Sequence, residues 1–309
     1  MQAEPLIHWS EPIIKFIGMV AEFIPLGAVG FRFAAVRDRL GARDSVYADT
    51  ARRGALWGLA GMLVQGVLLF TALPTSATRA HTTVGGLLTS DPATIAEVVL
   101  LAAAIVGFAL ASMRRRVGWP LALVGVVLGP LTGLLTGQWS RLVNPVHRLA
   151  AGLWLGTLFV LVAVGLRIVL DETRTKERRG EIAAELVNGF SPLALTCGMI
   201  VVLSGLTTAW THLNPLSSLW STPYGYALLV KLCIVAMVFA LGAWNWKRVR
   251  PTLGSEDAAH AVRRSSKGEL TAATLVLIAS AILISLPSPR PPGGNPPGGP
   301  PAEGAPNGN

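Results

Sequence analysis

Histidines are the residues of this chain whose type and placement suggest chemistry. Neutral imidazole is the commonest metal ligand in proteins, so histidines gathered on one side of a membrane form a candidate metal site. Four of the five histidines lie on the same side once the apolar segments are laid across a bilayer; they are His8, His81, His147 and His212. His260 falls on the other side. This distribution predicts that a metal ion is captured at one membrane face.

Two of these histidines lie at the ends of predicted helices, and softer donors lie further inside the apolar segments. His147 opens the fifth predicted helix, and Trp154 follows it by seven residues on the same helical face. His212 closes the sixth predicted helix, with Cys197 inward on the same face, and Met19 offers a thioether that suits cuprous ion. The alternative interpretation is that interfacial His and Trp anchor the protein at lipid headgroups, while Met and Cys pack in the core. The candidate metal ligands are His147, His212, His81, His8, Met19 and Cys197.

Ionisable side chains inside apolar segments form a second candidate group. Glu22 lies near the middle of the first segment, Glu97 in the third and Lys231 in the seventh. Such groups are costly in a membrane and usually face the interior of a helix bundle. Lys231 shares a helical face with Tyr224 and Asn245, because separations of seven residues return close to the same side. We predict a Glu22–Lys231 ion pair, which either belongs to an ion pathway or only locks two helices together.

The composition assigns the fold class. Hydrophobic residues make up 51% of the 309 residues, charged residues only 14%, and the mean hydropathy is +0.53. A spanning helix needs about 20 mostly apolar residues, because its backbone finds no water in the hydrocarbon. The predicted fold is all-α, a polytopic membrane bundle of eight transmembrane helices. The predicted spans are 12–36, 53–73, 93–113, 117–138, 146–169, 190–213, 224–247 and 269–287.

Basic residues predict the orientation of the bundle. Most of the 26 lysine and arginine residues lie in the loops after the first, third, fifth and seventh segments. By the positive-inside rule these loops are cytoplasmic, and both termini are outside. The net charge of +9 therefore indicates topology and does not point to nucleic acid.

Four regions follow from this pattern. Residues 1–11 form an outer N-terminal segment, 12–138 the first four helices, and 139–287 a four-helix transmembrane core. Residues 288–309 are rich in Pro and Gly and are predicted to be a disordered outer tail. Between the fifth and sixth spans, Ile182 and Leu186 predict a short helix on the inner surface.

No motif predicts an enzyme. The chain has no HExxH sequence, no GxxxxGK[ST] loop and no GxGxxG sequence after a strand. The loops are also too short for an ATPase domain. Any transport would therefore draw on a gradient or on exchange with carriers.

The second half of the chain resembles a known family. Its four segments begin NPVHRLAAGLWLG at Asn144, FSPLALTCGMIVV at Phe190, LWSTPYGYALLVK at Leu219 and KGELTAATLV at Lys267. Their order, the YGxxLLxK sequence and the late Glu-Leu pair are similar to those of the CopD family of copper-resistance membrane proteins. The resemblance covers residues 144–289, and the first four helices match only in number and spacing.

This resemblance implies copper handling at the bacterial plasma membrane, often beside a periplasmic copper carrier of the CopC type. Carried over to this chain, the family's conserved positions are His147, Trp154, Gly156, Tyr224, Lys231 and Glu269. One departure is that relatives carry Gly-His where this chain has Gly137-Gln138, and glutamine is a poor copper ligand.

Three functions remain open from the sequence. The first is copper transport or delivery, with outer histidines capturing the ion and oxidation state undetermined. The second is a haem-binding electron-transfer protein with His147 and His212 as axial ligands. The third is a membrane scaffold or sensor that does not transport.

Overall fold

The computed structural model describes residues 9–37, 39, 45–136, 142–171, 175–212, 217–248 and 256–285. Within these ranges eight helices are long and apolar enough to cross a membrane, which confirms the predicted all-α bundle. Outside the described ranges lie His8, the Gly137-Gln138 pair and the tail 288–309, so the predictions made for them stay predictions.

The eight spanning helices are labelled α1 to α8. Their bounds are Ser10–Val36 (α1), Ser45–Arg79 (α2), Pro92–Ser112 (α3), Gly118–Leu128 continued by a 3₁₀ segment Gly129–Thr136 (α4), Val143–Asp171 (α5), Lys176–His212 (α6), Pro223–Arg248 (α7) and Glu256–Ser285 (α8). Two short helices, Val84–Ser90 and Ser218–Ser221, precede α3 and α7. Several helices extend past their apolar stretch, because polar residues can continue a helix beyond the hydrocarbon.

Helices α1 and α5 pack backbone against backbone. A β-carbon on Gly27 would overlap the main chain of Gly156, and one on Gly156 would overlap the Phe23 carbonyl oxygen. Small residues permit this close approach where van der Waals packing drives helix association in membranes. Helix α5 contains two π-helical segments, Gly152–Gly156 and Leu161–Gly165, and the first of them faces α1. The contact places the middle of α5 beside the middle of α1.

Helices α3 and α4 form a tight hairpin by the same means. A β-carbon on Gly125 would lie 2.5 Å from the Leu100 carbonyl oxygen, and Gly107 is equally close to the backbone of Ala122. The side chains of Phe108 and Trp119 meet edge to face between the two helices, with ring centroids 6.2 Å apart. This hairpin packs against α1 and α2 and forms one wall of the first half of the bundle.

The segment between the fifth and sixth spans differs from its prediction. It is the beginning of α6, continuous with the spanning part, and does not form a separate surface helix. Ile182 and Leu186 are fully buried in a cluster with α5 and the end of α1. Glu185 lies in the same turns, accepts a hydrogen bond from Tyr47 and pairs with Arg39 at 3.2 Å. Burial of the apolar pair and these polar contacts hold the extension in the bundle.

Candidate functional site

His147 lies in the second turn of α5 and is half-buried against α6. Its Nδ1 atom is 2.9 Å from the Ser204 hydroxyl oxygen, and a β-carbon on Gly205 would lie 3.5 Å from its Cε1. The imidazole ring is therefore held between two helices. The ring is not fully exposed at the surface of the bundle.

The contacts of Ser204 favour one tautomer of His147. The Ser204 hydroxyl donates to the Ile200 carbonyl oxygen at 2.5 Å, with the Val201 carbonyl oxygen 3.3 Å away. With its one hydrogen directed to Ile200, the hydroxyl oxygen accepts from His147 Nδ1–H, which is the tautomer that this geometry favours. The neutral ring then keeps the Nε2 lone pair for a ligand, which is the arrangement found in metal-binding histidines.

A strip of soft and aromatic side chains lies along the same α5–α6 contact. Cys197 is buried, 4% exposed, and packs with Ala150 and Val201, with Trp154 beside them. Trp154 also stacks on Phe239 of α7, with ring centroids 4.9 Å apart. The predicted inward face of α6 thus meets the predicted face of α5. Ser204 was missed, although its seven-residue spacing from Cys197 places it on that face.

The other predicted metal ligands are not brought to His147 by the described part of the structure. Met19 is half-buried in α1, and His81 is exposed in the turn after α2, with a backbone φ of 52°. His212 ends α6, but its side chain lies outside the described side chains, as do those of Tyr224 and Asn245. Among the described residues no three His, Cys, Asp or Glu side chains gather closely enough to hold a metal ion.

The predicted Glu22–Lys231 ion pair is wrong. Glu22 is 8% exposed in α1, and its carboxylate pairs with Arg148 of α5. The reason is the close crossing of α1 and α5, which brings Arg148, in the second turn of α5, to Glu22. Lys231 instead lies within electrostatic range of His147.

A polar cavity of about 230 Å³ opens beside this ion pair. Its walls come from α1 to α5, so it lies within the first half of the bundle together with the start of α5. The polar side chains that line it are Glu22, Gln65, Glu97, Thr132 and Arg148. Glu97, a predicted interior acid, is exposed at this cavity, whereas Glu269 is buried in α8 away from it.

Comparison with known proteins confirms the family resemblance for part of the chain. The sequence model of CopD, described as copper resistance protein D, matches residues 184–283, which run from α6 into α8. Over 151 residues the chain is 32% identical to the copper transport protein CutJ of Bacillus subtilis (strain 168). That alignment covers 49% of this chain and 26% of CutJ, so the chain spans about a quarter of that relative's length. No solved structure matches.

These matches and the eight apolar helices make the chain a multi-pass bacterial membrane protein with a segment, residues 184–283, that is similar to CopD and is called the CopD segment. His147 lies outside the matched residues 184–283, but its partner Ser204 lies inside them. The candidate site is therefore formed where the CopD segment packs against α5.

Proposed function

We propose that this protein transports or delivers copper across the bacterial plasma membrane, with His147 as the residue that captures the ion. Support for the cargo comes from the CopD segment and from the similarity to a protein named for copper transport. Support for the residue comes from its half-buried position between α5 and α6.

The observation that carries the proposal is the His147–Ser204 hydrogen bond. With the Val201 backbone, which also hydrogen-bonds the ring, it holds the imidazole against α6, an orientation that a solvated surface histidine or a headgroup anchor does not require. An imidazole and a thiol both suit copper better than they suit magnesium or calcium. A histidine that is fixed in advance binds an ion with a smaller loss of side-chain entropy.

Cys197 is the next donor along the same contact. It lies seven residues from Ser204, about 10 Å along the axis of α6 at a rise of 1.5 Å per residue. The thiol is too far away to share an ion with His147 but is well placed to receive one from it. We propose that copper passes from the imidazole toward Cys197 between α5, α6 and α7, beside Trp154.

The test compares His147→Ala with His260→Ala, which removes an exposed histidine on α8. Copper content of the purified proteins and copper flux into proteoliposomes are measured at matched insertion. We expect His147→Ala to lose bound copper and to reduce flux to that of empty vesicles, while His260→Ala behaves like the wild type. Unchanged flux in His147→Ala would overturn the assignment, and a stoichiometric haem absorption band in the wild type would overturn copper as cargo.

We further propose that a periplasmic carrier of the CopC type presents copper to this site. His147 lies near the end of the bundle where α1, α3 and α5 begin, which the distribution of basic residues predicts to be outside. Copper-loaded carrier should transfer its ion to the wild-type protein in proteoliposomes and not to His147→Ala. Equal transfer to both proteins would exclude this route.

A further inference from the structure

Glu22 lines the cavity beside α1, and only one of its two carboxylate oxygens has a hydrogen-bond partner among the described residues. Glu22 is 8% exposed, and Arg148 contacts only its Oε2 atom. No hydrogen-bond donor among the described residues reaches Oε1. A buried carboxylate oxygen without a partner is costly, and Glu22 is one of the residues that line the cavity, so its carboxyl group is a candidate to bind a ligand there.

The remaining walls supply acceptors and a second acid. Gln65 donates its amide to the Gly18 carbonyl oxygen at 2.8 Å, and Thr132 donates its hydroxyl to Gly129 at 3.0 Å. Both side chains therefore offer mainly acceptor oxygens to the cavity, and Glu97 adds a carboxylate. With Arg148 as the single cation in the lining, the cavity carries a net charge of −1 when both acids are ionised.

The charge pattern decides the class of ligand. A metal ion would face the guanidinium of Arg148, which already occupies one side of Glu22. A proton needs only one free carboxylate oxygen and a path of water, and the volume of about 230 Å³ has room for several water molecules. We propose that the Glu22–Glu97 cavity is a proton-binding site, coupled through Arg148 to the occupancy of His147.

The coupling follows from two neighbouring residues of α5. His147 contacts Ser204 of α6, while Arg148 contacts Glu22 of α1, so adjacent side chains connect the two halves of the bundle. When hydronium in the cavity gives a proton to the Glu22 carboxylate, a neutral carboxylic acid and a water molecule result, and no oxidation state changes. The charge of the cavity then rises by one unit, from −1 to 0, beside Arg148 and one residue from His147, which disfavours a copper ion bound there. Proton and copper therefore compete, and each lowers the affinity of the protein for the other.

The charged groups around Glu22 come from few helices. From α5 it faces Arg148, and from α3 the cavity brings Glu97. The α2 and α4 walls contribute the neutral side chains of Gln65 and Thr132. On α1 itself Lys15 lies about two turns away, where it binds Glu11 and the Ile284 carbonyl oxygen of α8.

Proton binding is tested first without copper, so that its outcome does not depend on the proposed function. Infrared difference spectra of the purified, copper-free protein between acid and neutral pH report protonated carboxylic acids. We expect a band that Glu22→Gln abolishes and Glu97→Gln shifts. Glu181→Gln, which removes an exposed acid paired with Arg178, should leave it unchanged. A spectrum that keeps this band in both Glu22→Gln and Glu97→Gln overturns the proton site.

The coupling is tested by copper affinity and flux, and this part rests on the proposed function. Glu22→Gln mimics the protonated acid, so its copper affinity should be lower than that of the wild type at neutral pH. As the pH is lowered, the copper affinity of the wild type should fall more steeply than that of Glu22→Gln. For one exchanged proton the difference between the two slopes is up to tenfold in affinity per pH unit. Equal slopes in the two proteins would overturn the coupling even if His147 is confirmed as the copper ligand.

Discussion

Replacing Ser204 by alanine isolates the feature on which the candidate site depends. The change removes the acceptor of His147 Nδ1–H but keeps the backbone hydrogen bonds of α6. His147 then loses one of the two contacts that orient its ring and keeps only the Val201 backbone. We expect copper binding to weaken while the fold is retained.

The magnitude follows from what is lost. One neutral hydrogen bond contributes about 0.5–1.5 kcal/mol, a factor of roughly 2 to 13 in affinity. Removing the partner that orients a metal-binding histidine commonly costs about 10- to 100-fold. The expected loss for Ser204→Ala is therefore about tenfold in copper affinity, measured by competition with a chelator of known affinity.

Ser280→Ala is the matched control. Ser280 is also buried and also donates to a carbonyl oxygen one turn earlier, that of Val276 at 2.7 Å, but it has no contact with His147. Its replacement should leave copper affinity unchanged. If Ser204→Ala binds copper as tightly as the wild type while His147→Ala does not, the tautomer argument fails. If both serine variants lose affinity equally, the loss reflects general loosening of the bundle.

Two further predictions concern stability. Gly27→Ala should destabilise the protein by about 1–3 kcal/mol, because the new methyl group meets the Gly156 backbone, whereas Gly242→Ala meets nothing within 4 Å and should be neutral in the same detergent unfolding assay. Equal stability of the two variants would contradict the close α1–α5 crossing. Hydrogen bonds from Thr94 to the Asp91 cap hold the pKa of that carboxyl below its usual value. The stability that the Asp91 carboxylate contributes is therefore present at pH values above the pKa of Asp91 in the unfolded chain, and it is lost as pH falls through the lower pKa of the folded protein. Asp91→Ala should lower the free energy of unfolding by about 1 kcal/mol at neutral pH, and the variant should not show this loss of stability in acid.

Which residues share one face of a helix can be predicted from their spacing in the sequence, because a single helix sets that geometry. Seven-residue spacing places Trp154 on the face of His147, and the α6 face of Cys197 packs against the same part of α5. Partners across helices were harder to predict. The sequence predicts that Glu22 forms an ion pair with Lys231, because that lysine lies inside an apolar segment. In the structure the ion pair of Glu22 is with Arg148, near the start of α5.

The amino-acid sequence alone determined the eight spans, because a backbone in hydrocarbon must satisfy its hydrogen bonds within each helix, and that requirement is visible in the apolar runs. It also carried the CopD resemblance, through the order and spacing of residues in α6 to α8. Only the tertiary structure decided that His147 is oriented by Ser204 and that Glu22 borders a cavity with Arg148. Those contacts depend on the crossing of α1 with α5, where two glycines let the backbones touch, and such a crossing has no counterpart in the pattern of any single helix.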